Sequence, residues 1–178
     1  SDDGLVIIDQ HALHERSMYE QLLARVGRGP LESQRLLIPP VVRVSARQMA
    51  ILEQIQPLLQ KLGVELSAFG PDSVAVQSFP TFLFDKGVEP GEFVAEMLER
   101  AEAEGFAPGS EETLHEVLDM MSCKAAVKAG DPLTPDEIDA LLAQRHLVDR
   151  SSNCPHGRPT TLRLSLRDLE KQFKRTGF

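Results

Sequence analysis

Leu5-Val6-Ile7-Ile8-Asp9-Gln10-His11-Ala12-Leu13-His14-Glu15-Arg16-Ser17-Met18-Tyr19-Glu20 is the stretch on which the reading of this sequence turns. Its first four residues are a short, continuous apolar run, the pattern of a buried strand. Asp9 ends the run and is a good helix N-cap. Ala12, Tyr19, Leu22, Leu23 and Val26 then recur at helical spacing until Gly27 and Gly29-Pro30. Asp9 therefore sits where a strand gives way to a helix and side chains converge. On that helix His11 and Glu15 stand four residues apart, about 40° in projection, so an imidazole and a carboxylate can share one metal ion. The same residues also suit a plain polar face with a salt bridge to a neighbour of Arg16. Glu20 lies about 180° from His11 and reads as a structural or supporting residue. His14 reads either as a supporting group or as solvent-exposed.

Outward from this stretch the elements alternate. Leu36–Ile38 and Val41–Val44 flank Pro39-Pro40 and predict an extended segment whose pairing the prolines restrict. Ser45 and Gln48 form a capping box for a helix running to Leu62 and closed by Gly63, with Pro57 expected to kink or split it. Val64–Phe69 and Val74–Phe79 read as a hairpin around Gly70-Pro71-Asp72. Helical periodicity covers 91–103, 111–129 and 136–144, with caps at Ser110 and at Thr134-Pro135. Thr160–Leu164 reads as a strand, and Ser165 caps a last helix to about Phe173. The order predicts a mixed α/β (α+β) fold with a discontinuous lobe.

Three further constellations carry chemistry. Cys154-Pro155-His156-Gly157-Arg158-Pro159 sets a thiol and an imidazole two residues apart on a proline-bracketed turn, able to chelate a cation such as Zn²⁺ or simply to form a rigid loop. Arg158 suits either a bidentate phosphate contact or a structural ion pair. Cys123, within Ser122-Cys123-Lys124, reads as a small buried apolar residue unless its helix packs against the Cys154 loop, which would make it a ligand. Gln34-Arg35-Leu36-Leu37-Ile38-Pro39 pairs a hydrogen-bonding Gln with apolar residues in an extended stretch, either a partner-docking motif or an edge strand ended by proline. His115 and His146 have no ligand spacing near them.

The chain has 178 residues, 42% hydrophobic and 26% charged, which excludes wholesale disorder and fits one domain or two small lobes. No apolar run reaches the length of a membrane span. There is no initiator Met and no signal-peptide pattern, so the expectation is a piece of a longer cytoplasmic protein. The net charge of -8 argues against strong unaided binding to DNA. Residues 85–119 hold eleven acidic residues against Lys86 and Arg100, whereas residues 154–178 carry a net +4.

These motifs together resemble the C-terminal domain of the mismatch-repair protein MutL in its endonuclease-bearing form. The family's Asp-Gln-His-Ala, two residues, Glu, four residues, Glu motif is matched at Asp9, Gln10, His11, Ala12, Glu15 and Glu20. Its Cys-Pro-His-Gly-Arg-Pro motif stands complete at residues 154–159. Ser122-Cys123-Lys124 keeps only the Cys of an Ala-Cys-Arg motif, and Phe173-Lys174-Arg175 is similar to a short Phe-x-Arg motif. Gln34, Leu36, Leu37 and Pro39 lie in a stretch similar to the family's sliding-clamp-binding motif.

The resemblance implies two lobes across 1–178, a dimerisation lobe of about 1–30 plus 130–178 and a regulatory lobe of about 31–129. It implies a metal-dependent endodeoxyribonuclease that nicks DNA in mismatch repair, nucleoid-associated and homodimeric. Partners would be double-stranded DNA, the sliding clamp and the mismatch-recognition protein MutS. Zn²⁺ is the implied bound metal, with Mn²⁺ or Mg²⁺ supporting cleavage. Asp9, His11, Glu15, Cys123, Cys154 and His156 would be ligands, and Asp9, His11, Glu15 and Arg158 the catalytic set. Two other classes compete: a dimerisation scaffold with one structural zinc, and a redox switch using only Cys123 and Cys154.

Overall fold

The two ends of the chain pair with each other. In the computed structural model, which describes residues 4–107, 109–128, 130–144 and 159–174, strand β1 (Gly4–Ile8) runs antiparallel to strand β6 (Thr161–Ser165), with Val6 opposite Arg163. Gly4 is essential to this close approach. Its φ is +137°, and a Cβ there would stand 2.1 Å from the Leu164 carbonyl oxygen. Ser165 ends β6 and caps helix α7 (Leu166–Gln172) through a capping box with Asp168. β1 feeds helix α1 (Gln10–Val26) directly.

The chain divides into two units, residues 1–18 with 126–178, and residues 19–125. In the first, α7 packs on β1 and β6. Ile8, Leu13, Leu133 and Leu141 form its small apolar cluster, with Leu141 supplied by helix α6 (Pro135–Ala143). The run Leu5–Ile8 was expected to be a buried strand. It is a strand, but Leu5, Val6 and Ile7 are 41–48% exposed. A two-stranded ribbon has no second layer of its own for both faces, so an apolar run marks the pairing without supplying the cover.

The second unit is built on strand β5 (Ser73–Pro80), whose residues are mostly buried. Strand β4 (Glu65–Gly70) pairs along one edge of β5, joined to it by the expected hairpin. Strands β2 (Ser33–Arg35) and β3 (Val41–Arg43) share its other edge, β2 beside Ser78–Pro80 and β3 beside Ser73–Ala75. Between them residues 36–40 leave the sheet at the prolines. Helix α2 (Ala46–Lys61) packs on β4 and on helix α4 (Pro90–Glu104), which also covers β3 and β5. A short helix, α3 (Thr81–Asp85), absent from the sequence reading, packs on helix α5 (Glu111–Ala125). Phe79 and Phe93 meet edge-to-face at 5.6 Å at the centre of this core.

Two expectations need correction. Pro57 does not split α2, which runs unbroken from 46 to 61. Pro57 lies on the exposed face, where the carbonyl it strands at Glu53 can bond water. Helix α5 ends at Ala125, short of 129, because the Val127 N–H bonds the His14 side chain instead of the carbonyl one turn back. The Ser45 capping box, the left-handed Gly63 after α2 and the Thr134 capping box all form as read.

Gly4→Ala should unpair β1 from β6, since the added methyl meets backbone. Amide hydrogen exchange should accelerate along Leu5–Ile8 while the β5 amides stay protected; unchanged protection in β1 would contradict this.

Candidate metal centre

Asp9 lies between β1 and α1 and serves both. Its N–H donates to the Thr160 carbonyl at 3.0 Å, extending the β1–β6 ladder. Its Oδ1 accepts the N–H groups of His11 at 2.9 Å and Ala12 at 3.2 Å, the N-cap the sequence predicted. One carboxylate oxygen thus holds the helix start. Thr160 directly follows Pro159, the last residue of the Cys-Pro-His-Gly-Arg-Pro stretch.

The next turn grips Val127, Lys128 and Asp131. Gln10 Nε2 donates to the Asp131 carbonyl at 2.9 Å and to that of Lys128 at 3.4 Å. His11 Nδ1 lies 2.7 Å from the Val127 carbonyl oxygen. A carbonyl only accepts, so Nδ1 carries a proton, and in the neutral tautomer the lone pair lies on Nε2, the form in which histidine ligates metals. His14 Nδ1 lies 3.0 Å from the Val127 nitrogen and accepts its proton, so it bears a lone pair instead. Asp131 Oδ2 closes the turn by accepting from the Lys128 N–H at 2.8 Å.

Glu15, one turn beyond His11, is 1% exposed. A carboxylate carried that deep is retained only where charge or hydrogen bonding holds it, which fits a ligand position as well as an ion pair. Cys123, on α5 in the second unit, is exposed rather than buried as a bland core cysteine would be. Cys154, His156 and Arg158 lie outside the described residues. Among the described residues no three His, Cys, Asp or Glu side chains converge as a metal set.

His14, read either as a supporting group or as solvent-exposed, is partly buried and bonded, whereas the role of Gln10 was missed in the sequence. The available signal was spacing, since positions 10, 11 and 14 share one end of the helix. His115 stacks on Tyr19 at 5.9 Å, shares a hydrogen bond between its Nδ1 and the Tyr19 hydroxyl, and lies 3.8 Å from Glu111, so it is a packing residue. A cleft of the second unit, lined by Arg25, Arg28, Leu31, Thr81 and Asp85 among others, contains none of the motif residues.

The candidate docking stretch behaves differently from a buried strand. Gln34 sits in β2 opposite Phe79, and the Leu36 N–H reaches the Gln77 carbonyl at 2.8 Å. Pro40 returns the chain by accepting from the Val76 N–H at 3.0 Å. Between these anchors Leu37 and Ile38 stand out from the sheet edge, 97% and 84% exposed, with Leu36 and Pro39 partly buried beneath them.

A family model described as the MutL C-terminal dimerisation domain matches residues 1–133. The chain belongs to the MutL C-terminal dimerisation domain family. The DNA mismatch repair protein MutL of Agathobacter rectalis is 38% identical over 174 residues, covering 98% of this chain and 26% of that protein. Those of Geobacter sulfurreducens and Pseudomonas aeruginosa are each 37% identical, over 171 and 172 residues. The chain spans about a quarter of the length of the curated relatives it matches. The mixed α/β architecture agrees with the fold the resemblance implied, and no described helix is long and apolar enough to cross a membrane.

Because Asp9 Oδ1 acts as a cap, Asp9→Ala should cost about 1 kcal/mol of stability. Asp9→Asn keeps that acceptor and should stay within a few tenths of wild type. Equal destabilisation of both variants in a thermal melt would show that the cap contributes nothing.

Proposed function

We propose that this chain is a metal-dependent DNA-nicking endonuclease module of a mismatch-repair protein. The observation that carries the reading is the local chemistry of α1, where the Val127 carbonyl accepts a hydrogen bond from His11 Nδ1–H and leaves Nε2 as the lone-pair nitrogen, one turn from buried Glu15. Asp9, His11, Glu15, Cys123, Cys154 and His156 form the donor set. Thiolate and imidazole suit Zn²⁺, and the carboxylates suit Mn²⁺ or Mg²⁺.

Bound metal would polarise the phosphodiester and lower the pKa of its water, making hydroxide available near neutral pH. The chain's own residues do the rest. Val127 holds His11 in the ligating tautomer, the β1–β6 junction fixes Asp9 at the helix start, and Arg158 steadies a phosphate oxygen. Substrate is double-stranded DNA, held weakly at net charge -8.

The same reading assigns roles to the rest of the chain. Leu5, Val6, Ile7, Leu162 and Leu166 leave an apolar ribbon about half exposed, which supports a homodimer face on the first unit, the dimerisation lobe. The second unit is the regulatory lobe. Its Leu37-Ile38 protrusion suits docking to the sliding clamp, which raises the local DNA concentration without new DNA contacts. The whole protein acts in the nucleoid and works with MutS.

One plasmid-nicking assay with Mn²⁺, with and without clamp, tests both claims. Asp9→Asn should abolish nicking with its melting temperature unchanged. Leu37→Ala with Ile38→Ala should keep basal nicking and lose clamp stimulation, because neither side chain supports the core. Wild-type nicking by Asp9→Asn would move the chemistry elsewhere, and full stimulation of the double variant would refute the docking role.

A further inference from the structure

His11 and His14 face opposite sides of one residue. Val127 offers its carbonyl to His11 Nδ1 at 2.7 Å and its N–H to His14 Nδ1 at 3.0 Å. The two imidazoles stand one helical turn apart on α1, so the residue they hold is pinned at both ends by a single rigid element. The partners force opposite tautomers on the neutral rings, Nδ1–H for His11 and Nε2–H for His14. Gln10 and Asp131 secure the chain just beyond, at Lys128 and Asp131. Without His14, residue 127 can turn its carbonyl away from His11, and His11 can then carry its proton on either nitrogen.

We propose that His14 is a positioning residue of the metal centre: by holding the Val127 N–H it fixes the carbonyl that keeps the proton on His11 Nδ1, and so keeps Nε2 available to a divalent cation. The inference rests on His11 being a ligand, as proposed above, and adds a residue that does not itself ligate. Partners of this kind change metal affinity by about ten- to a hundredfold when removed.

The test uses the full chain labelled with ¹⁵N-histidine, Zn²⁺ as probe, and three proteins: wild type, His14→Ala and His14→Asn. Asn presents its side-chain oxygen near the place of the imidazole Nδ1, so it can accept the same proton. Long-range ¹H–¹⁵N spectra of the metal-free protein should show His11 as the pure Nδ1–H tautomer in wild type and Asn variant, and as a mixture in the Ala variant. Chelator competition should show Zn²⁺ affinity falling about tenfold in His14→Ala, with recovery to within about threefold in His14→Asn. A His14→Ala protein with wild-type tautomer and wild-type zinc affinity overturns the proposal, even if its melting temperature falls, because His14 would then be structural only. Failure of wild type to bind Zn²⁺ at all would overturn the metal reading itself, and the positioning role with it.

Discussion

The antiparallel pairing of Gly4–Ile8 with Thr161–Ser165 is the constraint on which the candidate centre depends. It closes a loop of roughly 150 residues, which costs on the order of 4 kcal/mol in chain entropy before any contact is rewarded. A five-residue ribbon is marginal alone, so the pairing needs α7 against it and the Ile8–Leu13–Leu133–Leu141 cluster beside it. What it secures is the junction at Asp9, where strand, helix and Thr160 meet in three hydrogen bonds. Ala12 and Leu13, both buried, then lock the helix's first turn in rotation, so that His11 reaches the Val127 carbonyl.

The second unit is stabilised differently. Its core is a helix-covered sheet centred on β5 and the Phe79–Phe93 pair, with most of its large apolar residues fully buried. Its surface bears the acidic run 85–119, where Arg100 contacts Glu116 at 2.7 Å and Glu104 at 3.0 Å. Burial pushes the Glu116 carboxyl above its usual range, although Arg100 pulls it down. Such a surface repels the phosphate backbone of DNA.

Much of this was legible in the sequence because it rests on local rules. The capping residues Asp9, Ser45, Thr134 and Ser165, the Gly63 stop and the Gly70-Pro71-Asp72 hairpin are written within a few neighbours of each other. What was not legible depends on residues far apart. The exposure of Leu5–Ile7 reflects a ribbon with no second layer, which no periodicity reports. The early end of α5 is set by His14, more than a hundred residues away in sequence. For the same reason the sequence left His14 open between a supporting group and an exposed one, although its spacing from His11 was visible. Cys123, unless a ligand, read as buried because an apolar helix face predicts burial on average, not at each position.

The metal centre proposed on α1 mixes nitrogen, oxygen and sulfur donors. X-ray absorption at the zinc edge of the zinc-loaded chain tests it most directly. The account predicts one shell with sulfur at about 2.3 Å and nitrogen or oxygen at about 2.0–2.1 Å. The nitrogen should carry imidazole scattering that weakens in His11→Ala. A shell of oxygen alone, or one unchanged by loss of His11, would contradict it.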